Sequence, residues 1–175
     1  GKSTLLVHLP ESTDNMRRLF GDKKPIVSAI TFNSAMGYTL DGFADDFGLR
    51  VLYGALCSMQ VPLKPEVAGW KEFGNHIVTE CHLYNKYFSA SHAVKVLRLL
   101  WGKDTEHPVL LLVDELSKAA KKSPKYDDVC MQEIGEILDS DGDTHIIVSS
   151  LSPDYIHSML TGSQRQVVYV PTLSV

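Results

Sequence analysis

Apolar and polar positions follow two periods along the chain, and the switches between them separate strands from helices. Ile26 to Phe32 (IVSAITF) is rich in β-branched residues and lies between Pro25 and Asn33, which predicts a strand. Pro108 is followed by Val109-Leu110-Leu111-Leu112-Val113, and an unbroken apolar run after a turn signal predicts a central strand covered on both faces. Thr144 to Ser149 (THIIVS) predicts the next strand and Gln166 to Val170 (QVVYV) the last.

Between these runs the period lengthens to that of a helix. A short helix is expected from Leu5 to Pro10, which bends or ends it. Glu11 to Arg18 resumes it, with Leu19 and Phe20 as its last apolar contacts and Gly21 and Pro25 as the closing turn signals. Asp45 to Met59 carries Phe47, Val51, Leu52, Ala55 and Leu56 at helical spacing. Val67 to Tyr87 reads as helical with a break near Gly69 or Gly74. Ser91 to Trp101 sets Val94, Val96, Leu97, Leu99 and Leu100 on a wide apolar face suited to packing on a sheet. Tyr126 to Leu138 is a further amphipathic helix, and Pro153 to Leu160 a short one.

From Pro108 onward the order is strand, helix, strand, helix, strand, the pattern of a parallel sheet with helices on both faces. The expected class is therefore α/β. The 175 residues suffice for one core, and neither an internal repeat nor a second domain is visible. Trp70 and Trp101 are expected as core or interdomain anchors.

Composition narrows the function classes only a little. The 44% apolar and 22% charged content is that of an ordinary globular protein, and the apolar runs are far shorter than a membrane span. A net charge of -4 gives no general reason to expect nucleic acid as a partner. The one basic cluster, Lys118, Lys121, Lys122 and Lys125, has Asp127 and Asp128 beside it. It reads first as a solvated loop, with a nucleic-acid contact as the alternative. Cys57, Cys81 and Cys130 form neither a CxxC pair nor a disulfide framework, which points to inert thiols in a reducing compartment, cytoplasm or nucleus. The seven histidines make no zinc-ligand pattern with them. No signal peptide is visible, and a start at Gly1 leaves an upstream targeting segment open.

Two motifs carry chemistry. Gly1-Lys2-Ser3-Thr4 is the second half of GxxxxGK[ST], in which backbone N–H groups close around phosphates and lysine reaches the β- and γ-phosphates. Lys2 would neutralise developing charge, Ser3 would ligate Mg²⁺, and the helix beginning there would turn its positive end toward the phosphates. The second is Val109 to Glu115 (VLLLVDE), a buried strand that delivers Asp114 at its C-terminal end, where open α/β sheets bind ligands. Asp114 can hold the magnesium shell through water, and Glu115 can orient and polarise an attacking water. The bland alternatives are a Gly-Lys surface turn and a pair of acids at a strand's solvent exit.

Taken in order, GKST and VLLLVDE resemble the P-loop ATPases with a catalytic glutamate beside the second-motif aspartate, the class containing AAA and RecA-like domains. The wider pattern is most similar to the ATPase domains of crinkler and retrotransposon-hot-spot type proteins. It rests on ITFNS at Ile30 to Ser34, LLLVDELSKA at Leu110 to Ala119 and TGSQRQVVYVPTLS at Thr161 to Ser174.

The resemblance implies a three-layer P-loop fold with a mainly parallel sheet and ATP with Mg²⁺ as ligands. Gly1, Lys2, Ser3, Thr4 and Asp114 would bind nucleotide, Ser3 and Asp114 would serve the metal, and Glu115 would act as base. It further implies a polar sensor after the following strand, where Ser150 is favoured over Ser149. Arg165 would be a phosphate contact or arginine finger, against a plain reading as a surface loop arginine. Asn33 and Ser34, at the exit of the strand before, would position water or a partner, or simply cap a turn.

In that family a first strand precedes the phosphate loop and lies centrally in the sheet. Residues 1–175 are therefore expected to be a partial domain, cut within the phosphate-binding motif and poorly active by itself. The functional expectation is ATP hydrolysis driving a conformational change, coupled to a protein partner or further domains, with oligomeric state open. A non-hydrolysing nucleotide switch and a P-loop small-molecule kinase are the alternatives.

Overall fold

The computed structural model describes residues 8–32, 47–80, 88–102, 104, 106–116, 118 and 124–149, with the backbone alone at 124–129 and 140. Within them three strands, β1 (Ile26–Thr31), β2 (Val109–Asp114) and β3 (Thr144–Val148), form a parallel sheet in the order β1-β2-β3. Ile26 pairs with Val109 and Thr31 with Asp114, while Val109 pairs with Thr144 and Val113 with Val148. The three C-terminal ends therefore lie together along one edge. This is an α/β architecture with a parallel sheet, as the alternation of periods predicts.

Strand β2 is buried at every position because both of its faces are covered. Val109, Leu111 and Val113 enter the main core with Ile26 and Ile30 of β1, and Leu110 and Leu112 enter a second cluster on the opposite face. The main face is covered by α2 (Phe47–Ser58), α4 (Ala90–Trp101) and α5 (Pro124–Ser140), with α3 (Trp70–Glu80) packed beyond α2. The opposite face is covered by α1 (Thr13–Phe20), which sets Met16 and Phe20, four residues apart, over Leu110 and Leu112. Burying each such leucine contributes about 1.5–3 kcal/mol, and β2 buries three in succession.

The helix ends follow the turn signals. Gly21 ends α1 with a φ of 63°, a left-handed value that glycine adopts without Cβ strain, and its N–H bonds to Arg17 O at 2.9 Å. Of the two positions offered for the break in 67–87, Gly69 fits, since α3 begins at Trp70 and Gly74 lies buried inside it. Residues 81–87 lie outside the described residues. Helix α2 rides very close on β1, since a Cβ built at Gly54 meets Ala29 O at 2.5 Å. Ser28 Oγ donates to Val51 O at 2.7 Å across the same contact.

Helix α4 departs from its expected face. Ala90, Ala93, Val94, Leu97 and Arg98 are buried, whereas Leu99 and Leu100 are 79% and 60% exposed. The buried set follows the i, i+3, i+4, i+7 spacing of one stripe, and Leu99 and Leu100 lie outside it. Arg98 is drawn inward by partners distant in sequence. Its guanidinium meets Asp141 at 2.5 and 3.0 Å, His107 O at 2.7 Å and Thr144 Oγ1 at 3.3 Å. His107 in turn contacts Lys24 O at 3.0 Å. This network ties the N-terminal ends of all three strands. At the other end of the same helix, Ser89 Oγ accepts the His92 N–H, and the buried Glu133 of α5 accepts the Ala90 N–H.

Trp70 is buried in the core and Trp101 packs half-buried against it, the anchoring role expected of both. Cys130 is buried and Cys57 exposed, and neither is in a disulfide. No helix among the described residues is long and apolar enough to cross a membrane. The expected segments at Leu5 to Val7, Pro153 to Leu160 and Gln166 to Val170 lie outside the described residues.

Candidate functional site at the strand exits

The C-terminal edge of the sheet collects three chain exits, and the polar groups there bond across them. Phe32 N, after β1, donates to Asp114 O at 3.2 Å, and Ser149 N, after β3, donates to Val113 O at 2.8 Å. These backbone bonds extend the ladder one residue beyond the outer strands and fix the height at which each side chain emerges.

Asp114 is the last residue of β2 and only 8% exposed. Its Oδ1 accepts the hydroxyl proton of Ser149. The same hydroxyl oxygen accepts the Glu115 N–H at 3.3 Å. Ser149 thus joins the side chain of one acid to the backbone of the next. A carboxylate with this little exposure requires such a donor, because an unsatisfied buried oxygen costs about 1–3 kcal/mol.

Glu115 has a φ of 58°, a left-handed backbone at a residue with a Cβ. Such a position costs of order 1–3 kcal/mol and persists only where its surroundings fix it. Four contacts fix this one: the bond to Ser149, the Lys118 N–H to Glu115 O at 2.8 Å, the ion pair of Lys118 Nζ with Glu115 Oε2, and the fully buried Leu116 that follows. Glu115 Oε2 is closed to solvent, and its approach to the ammonium is ionic rather than an aligned hydrogen bond.

Arg50, on α2, is fully buried at the exit of β1. Its Nη1 donates to Thr31 O at 3.2 Å, and its guanidinium lies 4.7 Å from the Phe32 ring centroid and 4.9 Å from that of Trp70. A planar, weakly hydrated cation between two aromatic faces tolerates such burial where an ammonium would not. Its place in the sequence, between Leu49 and Val51 on an apolar helix face, was the available signal, and sequence reasoning passed over it. Of the two serines after β3, Ser149 meets Asp114, and Ser150 lies outside the described residues.

Of the residues expected to act, Asp114 and Glu115 are adjacent at the exit of the central strand. Gly1, Lys2, Ser3, Thr4, Ser150 and Arg165 lie outside the described residues, as do Asn33 and Ser34. In the expected basic cluster, Lys118 is half-exposed and engaged with Glu115. The side chains of Lys121, Lys122 and Lys125 are outside the described residues.

Among the described residues no group of three or more His, Cys, Asp or Glu side chains forms a metal cage. Magnesium that travels with a nucleotide does not need one, since it keeps several waters and takes one or two protein oxygens beside the phosphates. The hard oxygen donor of Asp114, at a strand exit and steadied by Ser149, fits that mode. No protein-family model matches the chain, and no curated protein or solved structure matches it either.

Proposed function

We propose that the chain belongs to an ATPase that binds ATP with Mg²⁺ and hydrolyses it to ADP and phosphate, driving a conformational change in a larger protein. The observation that carries this reading is the Asp114-Glu115 pair at the exit of a central, doubly covered parallel strand. Ligands of open parallel sheets bind outside that edge. An aspartate held by a hydroxyl and a glutamate fixed by a left-handed backbone supply two carboxylates at unequal depth for two different tasks.

In this reading Asp114 and Ser3 would hold Mg²⁺, and Lys2 would complete the phosphate grip. Bound Mg²⁺ supplies charge neutralisation at the phosphate oxygens. Glu115 accepts a proton from the water that attacks the γ-phosphorus, and Ser149 keeps the Glu115 backbone and the Asp114 carboxylate in fixed relation. Ser150 and Arg165 remain candidates for sensing the γ-phosphate. The wider three-layer P-loop fold, a protein partner or further domains, and an intracellular setting belong to the same proposal.

The test is titration calorimetry of ATP·Mg²⁺ on the intact protein. Lys2→Ala is expected to weaken ATP·Mg²⁺ binding, and Asp114→Asn to weaken its magnesium dependence. Equal affinity in wild type and Lys2→Ala removes the site.

A further inference from the structure

We infer that Lys118 is an internal brake on Glu115: in the nucleotide-free protein it holds Glu115 Oε2 in an ion pair that must open before that oxygen takes a proton from water. This rests on the reading of Glu115 as the base and names a restraint upon it.

Three observations carry the inference. The Lys118 N–H bonds to Glu115 O at 2.8 Å, closing a single turn that brings the two side chains to the same side. The ammonium sits on Glu115 Oε2, and that oxygen is closed to solvent while the pair is made. The two side chains are also unequally shielded, at 22% exposed for Glu115 and 40% for Lys118. When the pair opens, it is therefore the lysine, on its flexible four-carbon stem, that swings out toward solvent while Glu115 keeps its place. The left-handed backbone at Glu115 supports the same division, because the bond from its N–H to Ser149 also holds the glutamate from the neighbouring strand.

The size of the effect follows from the exposure. A partly exposed ion pair shifts an equilibrium by up to about fivefold, so the brake slows turnover by a small factor and does not abolish it. While the ammonium holds Glu115 Oε2, that oxygen does not accept from water, and proton transfer through it scales with the open fraction.

The experiment uses the intact protein with Lys118→Met, Lys118→Arg, Glu115→Gln and the Lys118→Met/Glu115→Gln double variant. Lys118→Met keeps the stem and removes the charge, and is expected to raise kcat about two- to fivefold with KM for ATP unchanged. Lys118→Arg keeps the wild-type rate, and adding Lys118→Met to Glu115→Gln leaves the residual rate where it was. Thermal unfolding of the four nucleotide-free proteins reads the pair without turnover, and the two substitutions are expected to be non-additive.

Additive unfolding shifts overturn the ion pair. Non-additive shifts with an unchanged or lower kcat in Lys118→Met, while Glu115→Gln still abolishes turnover, overturn the brake and leave the base standing. Turnover absent from every variant overturns the ATPase reading, and turnover indifferent to Glu115 overturns Glu115 as its base; the brake falls in either case.

Discussion

Ser149 and Asp114 end neighbouring parallel strands, and the hydroxyl of the first donates to the carboxylate of the second while accepting the N–H of Glu115. One small side chain thereby links β3 to both acids at the exit of β2. Removing it with Ser149→Ala leaves Asp114 Oδ1 without this donor. Stability is expected to fall by about 1–3 kcal/mol, read as a lower urea midpoint at unchanged m-value. Ser149→Thr keeps the hydroxyl and is expected to recover most of the loss. Equal midpoints for wild type and Ser149→Ala would remove the link.

The N-terminal edge makes a pH-dependent contribution of its own. Burial by itself raises the pKa of the Asp141 carboxyl, but the hydrogen bonds and charge of Arg98, with the Asp143 N–H and the Thr144 hydroxyl, hold it below the usual aspartate range. A carboxyl depressed in the folded state contributes stability that is fully present above its unfolded pKa of about 3.9 and is lost as pH falls through the folded value. Wild type should therefore lose stability below about pH 4 more steeply than Asp141→Asn, which starts lower and has a flatter acid limb. Parallel acid limbs in thermal melts of the two proteins would contradict this.

Packing of α2 on β1 is tested at Gly54. A Cβ there meets Ala29 O at 2.5 Å and Ser28 Oγ at 2.9 Å, and the former is backbone that cannot swing aside. Gly54→Ala is expected to destabilise by about 1–3 kcal/mol despite the better helix propensity of alanine. A neutral or stabilising result would mean that the helix stands farther from the strand.

On α4, two adjacent kinds of leucine should respond differently. Leu97→Ala removes a fully buried side chain and is expected to cost about 2–5 kcal/mol. Leu99→Lys, at a position 79% exposed, is expected to stay within about 0.5 kcal/mol of wild type. Comparable losses at both positions would restore the broad apolar face that the sequence suggests.

These elements show what sequence makes legible and what it hides. The run at Val109 to Val113 announces a strand covered on both faces, because no polar residue interrupts it, and the structure extends it only to Asp114. The end of α1 at Gly21 and the start of α3 after Gly69 follow glycine signals, which are local. The face of α4 is not local. Arg98 turns inward because Asp141 waits 43 residues away, and nothing near Arg98 in sequence records that. The site divides in the same way. Asp114 and Glu115 follow from a buried strand ending in two acids, whereas the choice between Ser149 and Ser150 depends on where β3 stops and which hydroxyl then meets β2. Arg50 was hidden because its aromatic partners Phe32 and Trp70 come from separate elements.

The central claim is that Glu115 is the base of an ATPase, and the most direct measurement is steady-state phosphate release by the intact wild-type protein and Glu115→Gln in saturating ATP and Mg²⁺, with nucleotide affinity measured in parallel. Glutamine keeps the shape of the side chain and removes its capacity to accept a proton, and general-base contributions are typically about 10²- to 10⁴-fold. The expected result is near-wild-type ATP affinity with turnover at least ~100-fold slower. A robust wild-type rate that Glu115→Gln retains unchanged would contradict the claim. So would a wild type that binds ATP and, with its partners present, never turns it over, which is the behaviour of a nucleotide switch.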